Sequence, residues 1–272
     1  MHTHVSLLEQ LHHMGINQHG VVLVHSSLKS LGEVEGGAET VLNVLEEYMK
    51  EGLLVLPTHT WANINANNPT FYVEESPSCI GILPELFRKR PGVIRSWHPT
   101  HSVAALGQDA LSFTTGDEQF DTPCARGSAW GKLLDRQATI LLLGVDLRRN
   151  TFMHGVEEWL DIPGRMTDDH EKLQTVLGDG TVIEVPSRRH SGQSWSEYFW
   201  KVEDVMVGQG AIYWGQLGDA VVRVCDTVKM TELLTQMLRE CPELFSDNEP
   251  LTEHMQQLFG QANKGSIQQE RG

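Results

Sequence analysis

Cysteine is scarce in this chain: Cys79, Cys124, Cys225 and Cys241 are the only four in 272 residues, with no CxxC pair among them. That spacing excludes a dense disulfide framework and a cysteine zinc site, and predicts reduced thiols. Apolar runs are short as well. None approaches the roughly 20 residues needed to span a bilayer, and Met1-His2-Thr3-His4 lacks the basic-then-apolar layout of a secretory leader, so no membrane association and a cytoplasmic location are expected. Basic residues are outnumbered, 21 against 36 acidic, for a net charge of −15. Such a balance disfavours nucleic acid as a partner and mildly favours cationic ones. There is no GxSxG elbow, no GxGxxG and no CxxC, which removes the common hydrolase, dehydrogenase and redox readings, and neither a Walker loop nor an HExxH pair is present.

What is present is an ordinary globular composition, 40% hydrophobic, with strand and helix signals in alternation. Val21-Val22-Leu23-Val24 and Leu53-Leu54-Val55-Leu56 are apolar runs without polar alternation, as strands buried on both faces read. Between them Val41, Leu42, Leu45, Tyr48 and Met49 form one helical stripe, so this unit predicts a parallel pair with a helical crossover. Thr139-Ile140-Leu141-Leu142-Leu143 is a third such strand, and Asn150 or Thr151 then opens a helix. Residues 62–78, rich in Asn, Pro and Ser, read as a long functional loop. Leu177-Gly178-Asp179-Gly180-Thr181-Val182 is a hairpin signal, and residues 211–224 hold further short strands. The expected fold is α/β: a central, mostly parallel sheet flanked by helices, with an antiparallel, β-rich C-terminal accessory region over about residues 165–225. A single unit covers residues 1–272, with a polar tail over about 264–272.

Three strands run into polar clusters: His25-Ser26-Ser27, Thr58-His59-Thr60, and the stretch from Gly144 to His154. In open parallel sheets ligands sit at the carboxyl ends of strands, so these clusters together predict the site. In the new helix His154, Glu157 and Glu158 stand three and four residues apart, on one face. A carboxylate so placed can fix the tautomer of an imidazole that accepts a proton near neutral pH. The alternative is that His154 merely packs and both glutamates are solvated. The Ser26-to-Gly32 loop and Arg126-Gly127-Ser128 each offer donors of the kind that hold an anion, without forming a specific motif.

Taken in order, His25-Ser26-Ser27-Leu28-Lys29-Ser30-Leu31-Gly32, Pro57-Thr58-His59-Thr60, His98-Pro99-Thr100-His101-Ser102-Val103-Ala104-Ala105, Asp121-Thr122-Pro123-Cys124-Ala125-Arg126-Gly127-Ser128 and the Gly144-to-Glu158 stretch resemble the aminoglycoside 3-N-acetyltransferase family, over roughly residues 6–240. The resemblance implies acetyl-coenzyme A as co-substrate and transfer of its acetyl group to the 3-amino group of an aminoglycoside, a small cationic amine. It would place His25, Ser26, Ser27, Leu28 and Lys29 along the coenzyme, Thr100, Ser102 and Val103 near its pantetheine arm, and Arg126 and Ser128 as further coenzyme contacts. It would make His154 the general base, with Glu157 or Asp146 beside it and His190 as the other histidine to test, and would put Thr58, His59, Trp61 and Glu158 at the acceptor. No metal is expected. The wording Phe152-Met153-His154-Gly155 departs from the family pattern, which leaves the acceptor open to a different amine. Two rival classes stand beside this reading: a metal-dependent hydrolase built on His59, His98, His101 and His154, and a coenzyme A sensor without turnover. The oligomeric state stays open, a homodimer being one expectation.

Overall fold

The computed structural model describes residues 1–191 and 195–260, and the polar tail expected at 264–272 lies outside them. Among the described residues ten strands form: β1 (Val21–Ser26), β2 (Leu53–Pro57), β3 (Thr70–Tyr72), β4 (Ile94–Arg95), β5 (Val103–Gly107), β6 (Thr139–Leu143), β7 (Gln174–Val176), β8 (Val182–Glu184), β9 (Ile212–Leu217) and β10 (Ala220–Asp226). Seven of them make the main sheet in the order β4-β5-β2-β1-β6-β10-β9. The three apolar runs legible in the sequence are its parallel centre, β2 beside β1 and β1 beside β6, with Leu23 opposite both Val55 and Ile140. Antiparallel strands complete it on both sides, β5 and β4 beyond β2 and β10 and β9 beyond β6. The strands at residues 211–224, expected in the accessory region, therefore extend the main sheet. The accessory sheet is smaller, β3-β7-β8, and draws its β3 from the 62–78 loop.

Alternate residues of the central strands face opposite cores. Leu23, Val55, Ile140 and Leu142 pack with Trp130, Phe152, Met153, Leu234 and Met237, under the helices Ala129–Asp135, Thr151–Trp159 and Thr227–Glu240. Val22, Leu54, Leu141 and Leu143 pack with Leu7, Leu11, Val41 and Leu45, under the helices His4–His13 and Gly37–Tyr48. This burial on both faces is the reason those strands read as unbroken apolar runs.

Gly144 turns the chain out of β6 toward the site with φ +64°, a left-handed conformation that L side chains avoid. A Cβ there would lie 2.3 Å from the Cβ of Ser30. Gly144→Ala should therefore destabilise the fold by about 1–3 kcal/mol from backbone strain alone. Chemical denaturation reads this as a lower midpoint with unchanged slope, and an unshifted midpoint would refute it.

Candidate active site

A cavity of about 580 Å³ opens at the carboxyl ends of β1, β2 and β6, where Val24, His25, Ser26, Pro57 and Val145 form part of its wall. The volume is that of a small-molecule site. His154 enters it from the Thr151–Trp159 helix and His190 from the segment after β8. Their rings stack, centroids 4.3 Å apart and planes 24° from parallel, with 17% and 18% of the side chains exposed.

Each imidazole has its own carboxylate, supplied by consecutive residues of one helix. Glu157 Oε2 lies 3.0 Å from His154 Nδ1, and Glu158 Oε1 lies 2.6 Å from His190 Nε2. The two carboxylates differ in company. Glu157 is almost fully buried and also accepts a 2.6 Å hydrogen bond from Arg165 Nε, itself buried. Glu158 accepts instead from the backbone N–H of Cys124, at 2.9 and 3.1 Å. Burial holds His154 below the ordinary imidazole range, the proximity of His190 adds to this, and the Glu157 hydrogen bond opposes it. With Nδ1 donating to Glu157, His154 keeps a lone pair on Nε2 at neutral pH.

Beneath this pair lies a set of buried rings. His101 meets His190 edge-on at 5.2 Å and His59 at 4.6 Å, and Trp130 stacks on His59 at 5.5 Å and on His25 at 6.5 Å. The Trp130 indole N–H donates to the His101 carbonyl at 3.1 Å, which fixes the floor. Burial pushes His25 and His98 down to about 3 and His59 and His101 well below the usual range, so the floor is uncharged near neutrality. His59 Nε2 lies 3.1 Å from Thr151 Oγ1, while His59 Nδ1 and His25 Nε2 are buried without a partner among the described residues. A buried orphan nitrogen beside a cavity is a place for a ligand's polar atom. Trp61, Cys79, Ile80, Arg148, Arg149 and Arg189 complete much of the wall. None of the described lining residues is acidic.

Of the residues singled out in the sequence, His25, Ser26, His59, Trp61, His154 and His190 line the cavity, with Glu157 and Glu158 directly behind the two histidines. Others are placed elsewhere. Asp146 turns away from His154, accepting from the backbone N–H and guanidinium of Arg148, because its extended backbone caps the 3-10 turn Leu147–Arg149. Thr100, Ser102, Val103 and Thr58 are fully buried, the hydroxyls of Thr58 and Ser102 being taken by each other and by Arg95. Ser128 caps the Ala129–Asp135 helix through Trp130 N–H, and Arg126 pairs with Asp135. Ser27 accepts from Ser30, Leu28 packs against the core and Lys29 points to solvent. Arg165, Arg95 and Trp130 went unnoticed in the sequence; the capping serine before Ala129-Trp130 was the one local signal near any of them.

The histidines of the metal-hydrolase alternative, His59, His98, His101 and His154, do not converge on a common point for an ion. Among the described residues one group, Cys124, Glu158 and His190, brings three possible ligand atoms within 4.8 Å of one another. Burial raises the Cys124 thiol well above its ordinary range, and the Glu158 carboxylate is already engaged by the Cys124 backbone N–H and by His190. That donor set suits a hydrogen-bonded cluster better than a cation. No helix among the described residues is long and apolar enough to cross a membrane.

Known proteins share this fold. The sequence pattern of the family described as aminoglycoside 3-N-acetyltransferase matches residues 23–239. Aminoglycoside N(3)-acetyltransferase VII of Streptomyces paromomycinus is 32% identical over 196 residues, 65% of this chain and 67% of that protein. The SPbeta prophage-derived aminoglycoside N(3')-acetyltransferase-like protein YokD of Bacillus subtilis (strain 168) is 31% identical over 225 residues, 72% and 74% of the two chains. In three dimensions YokD superposes with a TM-score of 0.74 at 24% identity, covering 88% of this chain and 99% of its own. AAC-IIIb, solved as a binary complex with CoASH, gives 0.77 at 23% identity over 88% and 96%. Those superpositions establish the α/β fold, and the match across residues 23–239 shows that the chain belongs to the aminoglycoside 3-N-acetyltransferase family.

Proposed function

We propose that this protein transfers the acetyl group of acetyl-coenzyme A to an amine, an aminoglycoside 3-amino group being the acceptor to which family membership points, by direct attack with His154 as general base. The observation that carries the reading is the Glu157–His154 pair set into the wall of the cavity. A protonated amine is not a nucleophile, so the acceptor reacts as the free amine, and a base must take a further proton as nitrogen bonds to the thioester carbonyl carbon. His154 Nε2 is the lone pair available for that, and Glu157 steadies the imidazolium that results. The wall suits the coenzyme: Ser26, Arg148 and Arg149 offer hydroxyl and guanidinium donors for phosphate oxygens, and Val24, Val145 and Pro57 give an apolar lining for an extended arm. Direct transfer is favoured over a cysteinyl acyl-enzyme, since no activated thiol stands among the described lining residues. Cys79 is the lining thiol, and burial raises it above the usual range.

Thiol release from acetyl-coenzyme A in the presence of a panel of aminoglycosides tests the reading, which expects turnover that depends on the amine. Release independent of any amine would mark a hydrolase, and tight coenzyme binding without release a sensor. A different amine as acceptor has its own support. Arg148, Arg149 and Arg189 line the cavity and no described lining residue is acidic, which favours an acceptor of low positive charge. Adding singly charged amines to the panel separates the two: a higher kcat/KM for them than for the polycations would assign the low-charge acceptor.

A further inference from the structure

We infer that His190 is the general acid of the same reaction, delivering the proton that the departing coenzyme sulfur takes up; the assignment rests on the acetyl-transfer reading. Two imidazoles stacked at 4.3 Å do not both carry charge readily, so different surroundings can give the two rings different roles. Behind His154 the Glu157 charge is already offset by buried Arg165 at 2.6 Å. Behind His190 the Glu158 carboxylate has no ion-pair partner among the described residues other than His190 itself, since its remaining contact is the neutral Cys124 backbone N–H. Glu158 therefore sets its whole charge against His190, whereas Glu157 divides its own between His154 and Arg165, and this asymmetry assigns the acid role to His190 and the base role to His154. The other groups facing the pair do not undo this. His101 and His59 are buried and neutral, the Cys124 thiol is protonated, and Arg189 is paired with Glu171.

The proton inventory closes. The ammonium acceptor first loses one proton to solvent; the free amine nitrogen then forms the new C–N bond and gives a second proton to His154 Nε2. The C–S bond breaks, and the sulfur takes a proton from the His190 ring nitrogen that Glu158 does not hold. The products are the amide and the free thiol, and solvent exchange returns the proton from His154 to His190.

The test is the pH profile of kcat in three chains, His190→Gln, Glu158→Gln and His154→Gln, with coenzyme affinity measured alongside. In the wild type the profile should be bell-shaped. His190→Gln should lose the descending limb, keep the ascending one, fall about 10²-fold at the optimum and bind coenzyme as before. Glu158→Gln removes only the charge and should move the descending limb to lower pH, a readout that stands even if the His190 variant fails to fold. His154→Gln should keep the descending limb. An unmoved descending limb in both His190→Gln and Glu158→Gln overturns the assignment, as does loss of the ascending limb in His190→Gln, which would make His190 the base. A wild-type chain that binds acetyl-coenzyme A and acetylates no amine overturns the transfer reading itself.

Discussion

His154→Gln should lower kcat about 10²- to 10⁴-fold, the usual worth of a positioned base, while leaving the affinity for coenzyme A nearly unchanged. The separation follows from geometry: the ring reaches the cavity from the Thr151–Trp159 helix, whereas Ser26 comes from the end of β1 and Arg148 and Arg149 from the 3-10 turn Leu147–Arg149. Steady-state thiol release and calorimetric titration of coenzyme A read the two quantities independently. The wild-type ascending limb carries a further expectation. Because burial and the neighbouring His190 lower the His154 value, the base stays neutral to a lower pH than an ordinary imidazole, and half-maximal activity on the acid side should fall below about pH 6.5. Loss of coenzyme binding in step with kcat would instead mean that His154 holds up the cavity wall. An acid limb above the ordinary imidazole value would mean that Glu157 outweighs burial.

Much of this arrangement was legible because the decisive elements have local signatures. Residues 21–24 of β1, 53–56 of β2 and 140–143 of β6 are buried on both faces and carry no polar residue to blur them, and the spacing of His154, Glu157 and Glu158 translates directly into one helix face. What the sequence left unread depends on partners remote along the chain. The β9–β10 hairpin has a strand pattern of its own, but nothing local tells it to pair with β6 instead of the accessory sheet. Ser102 and Thr58 have the composition of ligand-binding loop residues, yet Arg95 buries among them and takes both hydroxyls. Asp146 shares a segment with His154 and still faces away, because its nearest backbone donor is Arg148 N–H, two residues on. Arg165 lies eight residues past Glu157 in a stretch without periodic pattern, and only the folded chain brings the two together.

Arg165→Met should be the most destabilising single change near the site, by about 3–5 kcal/mol, since it leaves a buried carboxylate without its cation. Glu157 and Arg165 expose 1% and 3% of their side chains, so water screens little of the loss. The Arg165 guanidinium also donates to the Pro242 carbonyl at 3.2 Å, tying the segment after the Thr151–Trp159 helix to the end of the Thr227–Glu240 helix. The same substitution should alter the chemistry in a direction that loss of packing cannot imitate. Freed of Arg165, the Glu157 charge falls wholly on His154 and favours the protonated ring, so the ascending limb of the pH profile should move to higher pH. Denaturation and the pH profile of the surviving activity measure the two effects on one protein. A stability loss with an unmoved limb would show that Arg165 only holds the fold together. A raised limb would show that this arginine keeps the base neutral, and that the difference between two neighbouring glutamates is what gives two stacked histidines different charges.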